Sequence, residues 1–269
     1  MKAKPNGLGR EYGDQFADEG VASVYHARPE IPEGVFDTLV ELAPADNLSL
    51  LDLGCGTGEV AVPMSERLES VDAVDPSAAM LEFARKRIEE IGRVQNLRLI
   101  RSYAEDFSSE RKCGLIVAAN SIHWTDWTVM FANLPLMLDS CGYLVVVESG
   151  DFVGPWHEEF SALLPQFSTN KDFEPYCVFE ELRARRLWQV SGEKRFLRKG
   201  VRKSVDAFLD IIHSRNGFSR QRMGESLLVF DDEVRAILDK YVVEGELVGE
   251  TSARVVWGRP FVMASFDRD

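Results

Sequence analysis

The 269-residue chain has little of what metal or disulfide chemistry needs. Its four cysteines, Cys55, Cys113, Cys141 and Cys177, lie far apart, and no pair has CxxC or zinc-ligand spacing. There are only four histidines and no HExxH-type pair, so no structural or catalytic metal is expected. No run approaches the roughly 18–20 apolar residues of a membrane span, so no membrane partner is expected. The opening Met-Lys-Ala-Lys-Pro-Asn-Gly lacks the apolar region of a secretory signal. The expected location is the cytoplasm, where free thiols persist. Positive charge is also short: 31 Lys and Arg face 44 Asp and Glu, for a net charge of −13. Nucleic-acid binding draws most of its affinity from cations meeting phosphates, so nucleic acid is an unexpected partner. One local exception is Arg183, Arg185, Arg186, Lys194, Arg195, Arg198, Lys199, Arg202 and Lys203. These are either solvated faces or an attraction for an anionic substrate. Internal repeats, low-complexity tracts and long linkers are missing too.

Apart from these absences the chain is ordinary, with 45% hydrophobic and 28% charged residues, and it is long enough to bury a sizeable core. Residues 1–45 read as a helical arm, with helices at 18–25 and 33–42. Residues 46–150 alternate strands (48–53, 70–74, 97–101, 115–119, 143–149) with helices (59–68, 77–91, 125–138). Such alternation with buried strands implies a parallel, doubly wound α/β sheet covered on both faces. From Asp151 the alternation breaks. Residues 151–225 read as a helical cap, rich in aromatics at first. Helices are expected at 178–190, 204–213 and 231–243, and strands near 194–201 and 254–264. Residues 226–269 would close the core sheet.

The most informative stretch is Leu51-Asp52-Leu53-Gly54-Cys55-Gly56-Thr57-Gly58. A glycine turn between a strand and a helix lets backbone approach a ligand closely. A dinucleotide fingerprint needs its third glycine three places after the second; Glu59 stands there instead. Seventeen residues beyond Gly58, a second strand ends in Asp75-Pro76, where an acid suits a ribose diol. Met80 follows one turn into the next helix, placed for an adenine face or for the core. Tyr103-Ala104-Glu105-Asp106-Phe107 follows the third strand and Asn120-Ser121-Ile122-His123-Trp124 the fourth. Gly54, Asp75, Ala104 and Asn120 thus fall at the carboxyl ends of successive strands, where ligands of doubly wound sheets bind.

The Asp-x-Gly-x-Gly-x-Gly pattern, followed by the acid at Asp75 and the Ala-Glu-Asp element, resembles class I S-adenosylmethionine-dependent methyltransferases. Tyr25-x-x-Arg28-Pro29 and Ser121-Ile122-His123-Trp124 resemble the trans-aconitate methyltransferase-like branch that acts on small molecules. The Asn/Asp-Pro-Pro-Tyr motif of enzymes that methylate base amino groups or glutamine amides is missing. The likeness is strong over 49–149, moderate in the arm and weak beyond Gly150.

The resemblance implies a Rossmann-like core of seven strands, the last antiparallel. It implies S-adenosylmethionine as cofactor, S-adenosylhomocysteine as product, and no metal. Its implied cofactor residues are Asp52, Gly54, Cys55, Gly56, Gly58, Asp75, Pro76, Met80, Ala104, Glu105, Asp106, Asn120, Ser121, Tyr25 and Arg28. Either Glu105 or Asp106 would accept from the adenine amino group. Tyr25 would close over the cofactor. Arg28 would pair with the cofactor's carboxylate or with an acidic acceptor, unless it forms a surface salt bridge. His123 is the candidate general base, required only if the acceptor atom carries a proton. Trp124, His213 and Ser214 are candidates for the acceptor pocket, and Trp127 for its wall or the core. The expected reaction is methyl transfer to a carboxylate or hydroxyl oxygen of a small molecule. Methylation of protein or RNA, and cofactor binding without turnover, stand beside it. The expected assembly is a monomer or homodimer.

Overall fold

The computed structural model describes Lys4, Leu8, Gly9, Gly13 and residues 19–92, 94–171 and 176–261. Seven strands form one sheet: β1 Ser49–Leu53, β2 Ser70–Asp75, β3 Leu97–Arg101, β4 Cys113–Ala119, β5 Leu138–Ser149, β6 Trp188–Lys203 and β7 Leu247–Pro260. Their order is β3-β2-β1-β4-β5-β7-β6. β1 to β5 pair in parallel, and β7 lies antiparallel between β5 and β6. The expected doubly wound sheet with an antiparallel last strand is the observed one.

Ten α-helices complete the described residues: α1 Glu19–Val24, α2 Glu33–Leu42, α3 Ala61–Ser65, α4 Ala78–Ile91, α5 Trp127–Met137, α6 His157–Phe167, α7 Val178–Ala184, α8 Val205–His213, α9 Arg220–Met223 and α10 Leu227–Leu238. Short polar side chains start several of them. Ser77 Oγ accepts from Met80 N at 3.2 Å, and Asp126 Oδ1 from Thr128 N at 2.8 Å. Each satisfies an N–H that the first helical turn leaves unpaired. Ser204 and Ser219 cap α8 and α9 in the same way.

The central strands are apolar on both faces because both are covered. Val35 and Leu39 of α2, Met64 of α3 and Leu81 of α4 pack on Leu50, Val71, Leu115 and Val145. Phe131 and Leu134 of α5 and Leu182 of α7 pack on Leu51, Ile116, Leu144 and Val146. A separate cluster joins Phe160 of α6, Phe208 and Ile212 of α8, and Phe230 and Val234 of α10 with Phe152, Trp156 and Leu247. α10 therefore packs with the helices expected to form the cap, although 226–269 was expected to close the sheet. Only β7 of that stretch pairs with the sheet.

Several boundaries differ from expectation. β6 and β7 run to 16 and 14 residues, and β5 begins at Leu138. β6 is an edge strand whose residues are mostly exposed, with charged side chains interspersed, so it carries no buried apolar run to read. The helix expected over 178–190 ends at Ala184, since Arg186 turns to φ 52° and Trp188 enters β6. The helix expected at 231–243 lies at 227–238, with a 3-10 turn over 239–241. Residues 262–264 of the expected last strand and residue 18 of the expected arm helix lie outside the described residues.

Phe230 is fully buried, its ring 5.3 Å from that of Phe167 and 5.7 Å from that of Phe218. Phe230→Ala should lower stability by about 4 kcal/mol, read from urea unfolding followed by tryptophan fluorescence. A loss below about 1 kcal/mol would mean that this cluster is loosely packed.

Candidate functional site

The loop after β1 turns through three glycines with φ of 71°, 54° and 82° at Gly54, Gly56 and Gly58. An L side chain disfavours each angle. A Cβ on Gly54 would lie 2.5 Å from Ser121 Cβ, and one on Gly58 2.8 Å from Val62 Cγ2. Gly54 therefore admits the β4 loop, and Gly58 packs the turn on α3. Gly54 N and Cys55 N both donate to Val74 O of β2, at 2.8 and 3.0 Å.

Asp75 braces the same loop. Its Oδ2 accepts from Gly56 N at 2.9 Å and its Oδ1 from Ser77 N at 2.8 Å. Burial raises its pKa and the two backbone bonds oppose the rise. Each carboxylate oxygen keeps a second lone pair for a ligand hydroxyl. Asp52 is buried beneath the loop. Its Oδ2 accepts from Ala61 N at 3.1 Å, while its Oδ1 has no partner among the described residues. Burial, with Asp75 and Glu59 nearby, pushes its pKa up to about 7 against the single opposing bond.

A cavity of about 240 Å³ opens over this loop. Gly54, Gly56, Asp75, Pro76, Met80, Ala104, Glu105, Asn120, Ser121, Tyr25 and Trp124 of the expected residues line it. Asp52, Cys55, Gly58, Asp106 and Arg28 do not. Asp52, Cys55 and Gly58 face the protein interior and shape the turn instead. Of the acidic pair, Glu105 is buried and Asp106 is exposed. Ser77, Arg101, Tyr103 and Thr125 also line the cavity. Ser77 follows Asp75-Pro76 and Tyr103 opens the Tyr-Ala-Glu-Asp-Phe element, whereas Arg101 and Thr125 lie outside the motifs.

A second, wider cavity of about 770 Å³ adjoins the first, and Asn120 and Trp124 line both. Asn120 sits at φ 51°, a left-handed conformation that asparagine tolerates better than most residues. Its Oδ1 accepts from Ser149 N at 3.1 Å, and its Nδ2 donates to Ser149 Oγ. That pairing ties the end of β4 to the end of β5. The second cavity is lined by Arg28, Arg195, Arg215 and Arg254, together with His123, Glu148, Asp151 and Tyr176. Arg215 Nη2 lies 2.9 Å from Asp151 Oδ1, and Arg254 Nη2 lies 2.6 Å from Glu193 Oε2. The buried Nε of each makes no hydrogen bond among the described residues.

Other expected residues take different places. His123 is buried, and burial, with Lys4 and Arg28, drives its pKa down to about 3. Such a weakly basic imidazole is poorly matched to proton abstraction near neutral pH, which turns the expectation of a base at His123 around. Its ring instead walls the cavity, 4.2 Å from that of Trp124. His213 and Ser214 do not line either cavity. His213 is buried between Phe218 O at 2.7 Å and Asp231 Oδ1 at 2.9 Å. Ser214 holds Arg28, whose Nε donates to Ser214 Oγ at 3.0 Å and Nη2 to Ser214 O at 2.7 Å. Arg28 Nη1 also donates to Tyr25 Oη at 3.1 Å. Trp127 is core, with Nε1 donating to Ile122 O at 2.6 Å.

A family model described as a methyltransferase domain matches residues 50–142. "Probable S-adenosylmethionine-dependent methyltransferase CRG1" of Saccharomyces cerevisiae is 30% identical over 119 residues, 44% of this chain and 41% of the relative. Trans-aconitate 2-methyltransferase of Enterobacter sp. is 32% identical over 124 residues, 45% and 47% of the two chains. Malonyl-[acyl-carrier protein] O-methyltransferase 1 of Ilyobacter polytropus is 26% identical over 168 residues, 61% of each. The chain spans about half the length of these relatives. Among solved structures, the "Putative Type II Methyltransferase" of Anaeromyxobacter dehalogenans is similar at TM-score 0.59 and 24% identity, over 86% of this chain and 97% of that one. YcgJ from Bacillus subtilis is similar at TM-score 0.51 and 17% identity, over 85% and 99%. At such identities the structural likeness speaks for the fold alone. Among the described residues, no group of acidic, histidine or cysteine side chains could hold a metal, and no helix is long and apolar enough to cross a membrane.

Asp52 supplies a pH test. Its folded pKa near 7 exceeds the ordinary 3.8, so the folded state holds a proton that the unfolded chain releases. Stability then falls as pH rises from about 4 to about 7, by up to about 4 kcal/mol for this group. Asp52→Asn should flatten that decline in unfolding free energy measured from pH 4 to 8. Parallel curves for the two proteins would remove the assignment.

Proposed function

We propose, from the match of residues 50–142 to a methyltransferase domain and from the class I fold of the sheet, that the chain transfers a methyl group from S-adenosylmethionine to an oxygen of a small anionic acceptor. When bound, S-adenosylmethionine supplies a methyl group activated on sulfonium sulfur. The observation that carries the reading is the pair of cavities meeting at Asn120 and Trp124. One holds the glycine loop and Asp75, and the other holds four arginines.

The residues of the first cavity suit the cofactor. The glycine loop leaves open backbone where side chains would intrude. Asp75 keeps acceptor capacity for a ribose diol while pinning the loop. Met80 is buried against that cavity and offers an apolar face for adenine. Ala104 N–H and the Glu105 carboxylate are the candidates for the adenine edge. Tyr25 closes the cavity above Gly56, 3.8 Å from where a Cβ would stand there.

The second cavity suits an anion. Arg28, Arg195, Arg215 and Arg254 outnumber Glu148 and Asp151 on its wall, although the chain as a whole is acidic. Guanidinium groups stay charged when buried and match carboxylates in geometry. Two relatives are named for acceptors that carry carboxylates, trans-aconitate and a malonyl carrier protein. The transfer needs proximity, alignment and exclusion of water more than chemistry from side chains. Trp124, Asn120 and the arm that Arg28 ties to Ser214 would provide these.

Isothermal titration should show S-adenosylhomocysteine and S-adenosylmethionine binding with Kd on the order of micromolar, and NAD not binding. Asp75→Ala should weaken both at least about tenfold, because it removes the diol acceptors and the Gly56 brace together. Unchanged affinity in that variant, or binding of NAD instead, would overturn the cofactor assignment.

A further inference from the structure

Glu148 sits at the carboxyl end of β5, one residue beyond the Ala119–Val147 pair that joins β4 to β5. It therefore stands beside Asn120, which lines both cavities. Its neighbour Ser149 carries both side-chain bonds of Asn120. The Glu148 carboxyl lines the second cavity and, among the described residues, makes no hydrogen bond and no ion pair. A half-buried carboxylate left without a partner is costly unless a ligand completes it. The neighbouring Glu193 makes ion pairs with Arg195 and Arg254, so cations for such pairing are at hand in this region.

The arginines and Glu148 make different demands on one molecule. Arg28, Arg195, Arg215 and Arg254 line the cavity against two carboxylates, Glu148 and Asp151, and suit an anion. Glu148 calls for a donor. A plain carboxylic acid satisfies the first and is repelled by the second. His123 is too weakly basic to take a proton here. Building on the methyl-transfer reading above, we infer that the acceptor is a small organic acid carrying a separate hydroxyl, that this hydroxyl is the methylated group, and that Glu148 accepts its proton.

The step balances simply. The hydroxyl oxygen forms a bond to the methyl carbon as the carbon–sulfur bond breaks. The electron pair of that bond leaves on sulfur, giving the neutral thioether. The hydroxyl proton passes to a Glu148 oxygen and then to water. Burial raises the pKa of Glu148, against the nearby Arg254, which moves a carboxylate towards useful basicity near neutral pH. The charged and titratable groups around it are Arg254 of β7, Glu193 and Arg195 of β6, Tyr176 before α7, and His123 after β4. Burial, then Glu148 itself, raises the Tyr176 pKa, so Tyr176 stays a neutral phenol across the working range.

The test uses the whole chain, tritiated-methyl S-adenosylmethionine and paired acids: malate with succinate, 3-hydroxybutyrate with butyrate, and 4-hydroxybenzoate with benzoate. Label should enter at least one hydroxy acid and no partner lacking the hydroxyl. The product should survive alkali, which splits a methyl ester to methanol but leaves an ether intact. The wild-type rate should rise with pH to a plateau. Glu148→Gln should lower kcat about 100-fold and abolish that rise, with the affinity for S-adenosylhomocysteine unchanged. Glu148→Asp should keep the rise at a reduced rate, which separates basicity from folding. Alkali-labile label, transfer to succinate, butyrate or benzoate, or full turnover in Glu148→Gln would overturn the proposal. So would transfer to none of the six by a protein that binds S-adenosylhomocysteine. If S-adenosylhomocysteine does not bind at all, the methyl-transfer reading falls first.

Discussion

The structure depends on a carboxylate holding backbone. Asp75, at the end of β2, accepts from Gly56 N of the loop after β1 and from Ser77 N at the start of α4. Three elements meet at this one side chain. The glycine loop runs through three left-handed residues, and Asp75 and Val74 O hold its first half through Gly54, Cys55 and Gly56. Burial makes the charge expensive and the two N–H groups offset part of that cost. A group with this duty cannot be treated as a ligand contact alone, because any ligand that bonds to it also bonds to a structural brace.

A second tie joins parts that are distant in the chain. Arg28 connects the amino-terminal arm to Ser214 at the end of α8, and through Tyr25 it reaches the first cavity. Tyr25 lines one cavity and Arg28 the other. The same short segment therefore lines both cavities. His213, one residue earlier, anchors this end of α8 through Phe218 O and Asp231. Helix α8 acts as a fixed post, and the arm is fastened to it.

These connections mark the limit of what the amino-acid order reveals. The core strands were legible because strands covered on both faces need largely apolar runs, as in Leu115 to Ala118 and, broken only by Asp52, Leu50 to Leu53. The loop was legible because alternating glycines have few other uses, and Asp75 because chain order places it at the next strand end. β6 was read short because an exposed edge strand alternates charges with weakly apolar residues. His213 and Ser214 were acceptor-pocket candidates as residues of the expected cap, but both are buried and line neither cavity. The second cavity was legible only in part, through Arg28, Asn120, His123 and Trp124 of the motifs and Arg195 of the basic cluster. Glu148, Tyr176, Arg195, Arg215 and Arg254 come from five separate segments, brought together by strand register and by the return of the chain from the helical cluster. Register between distant strands leaves no mark in any short window.

The electrostatics of that cavity follow from its burial. Desolvation pushes His123 down and Tyr176 and Glu148 up, in every case towards the neutral form. A guanidinium responds in the same direction, and burial lowers the Arg215 pKa, but it starts so high that the charge survives. The lasting charge on the wall is therefore mostly positive and changes little near neutral pH, in a protein whose overall charge is strongly negative. Such a wall attracts an anion although the chain as a whole is acidic. Beside Glu148 a hydrogen-bond donor is favoured and a second carboxylate is not. For the acceptor proposed above, charge on the wall and hydrogen-bond type at Glu148 would select two different groups of one molecule.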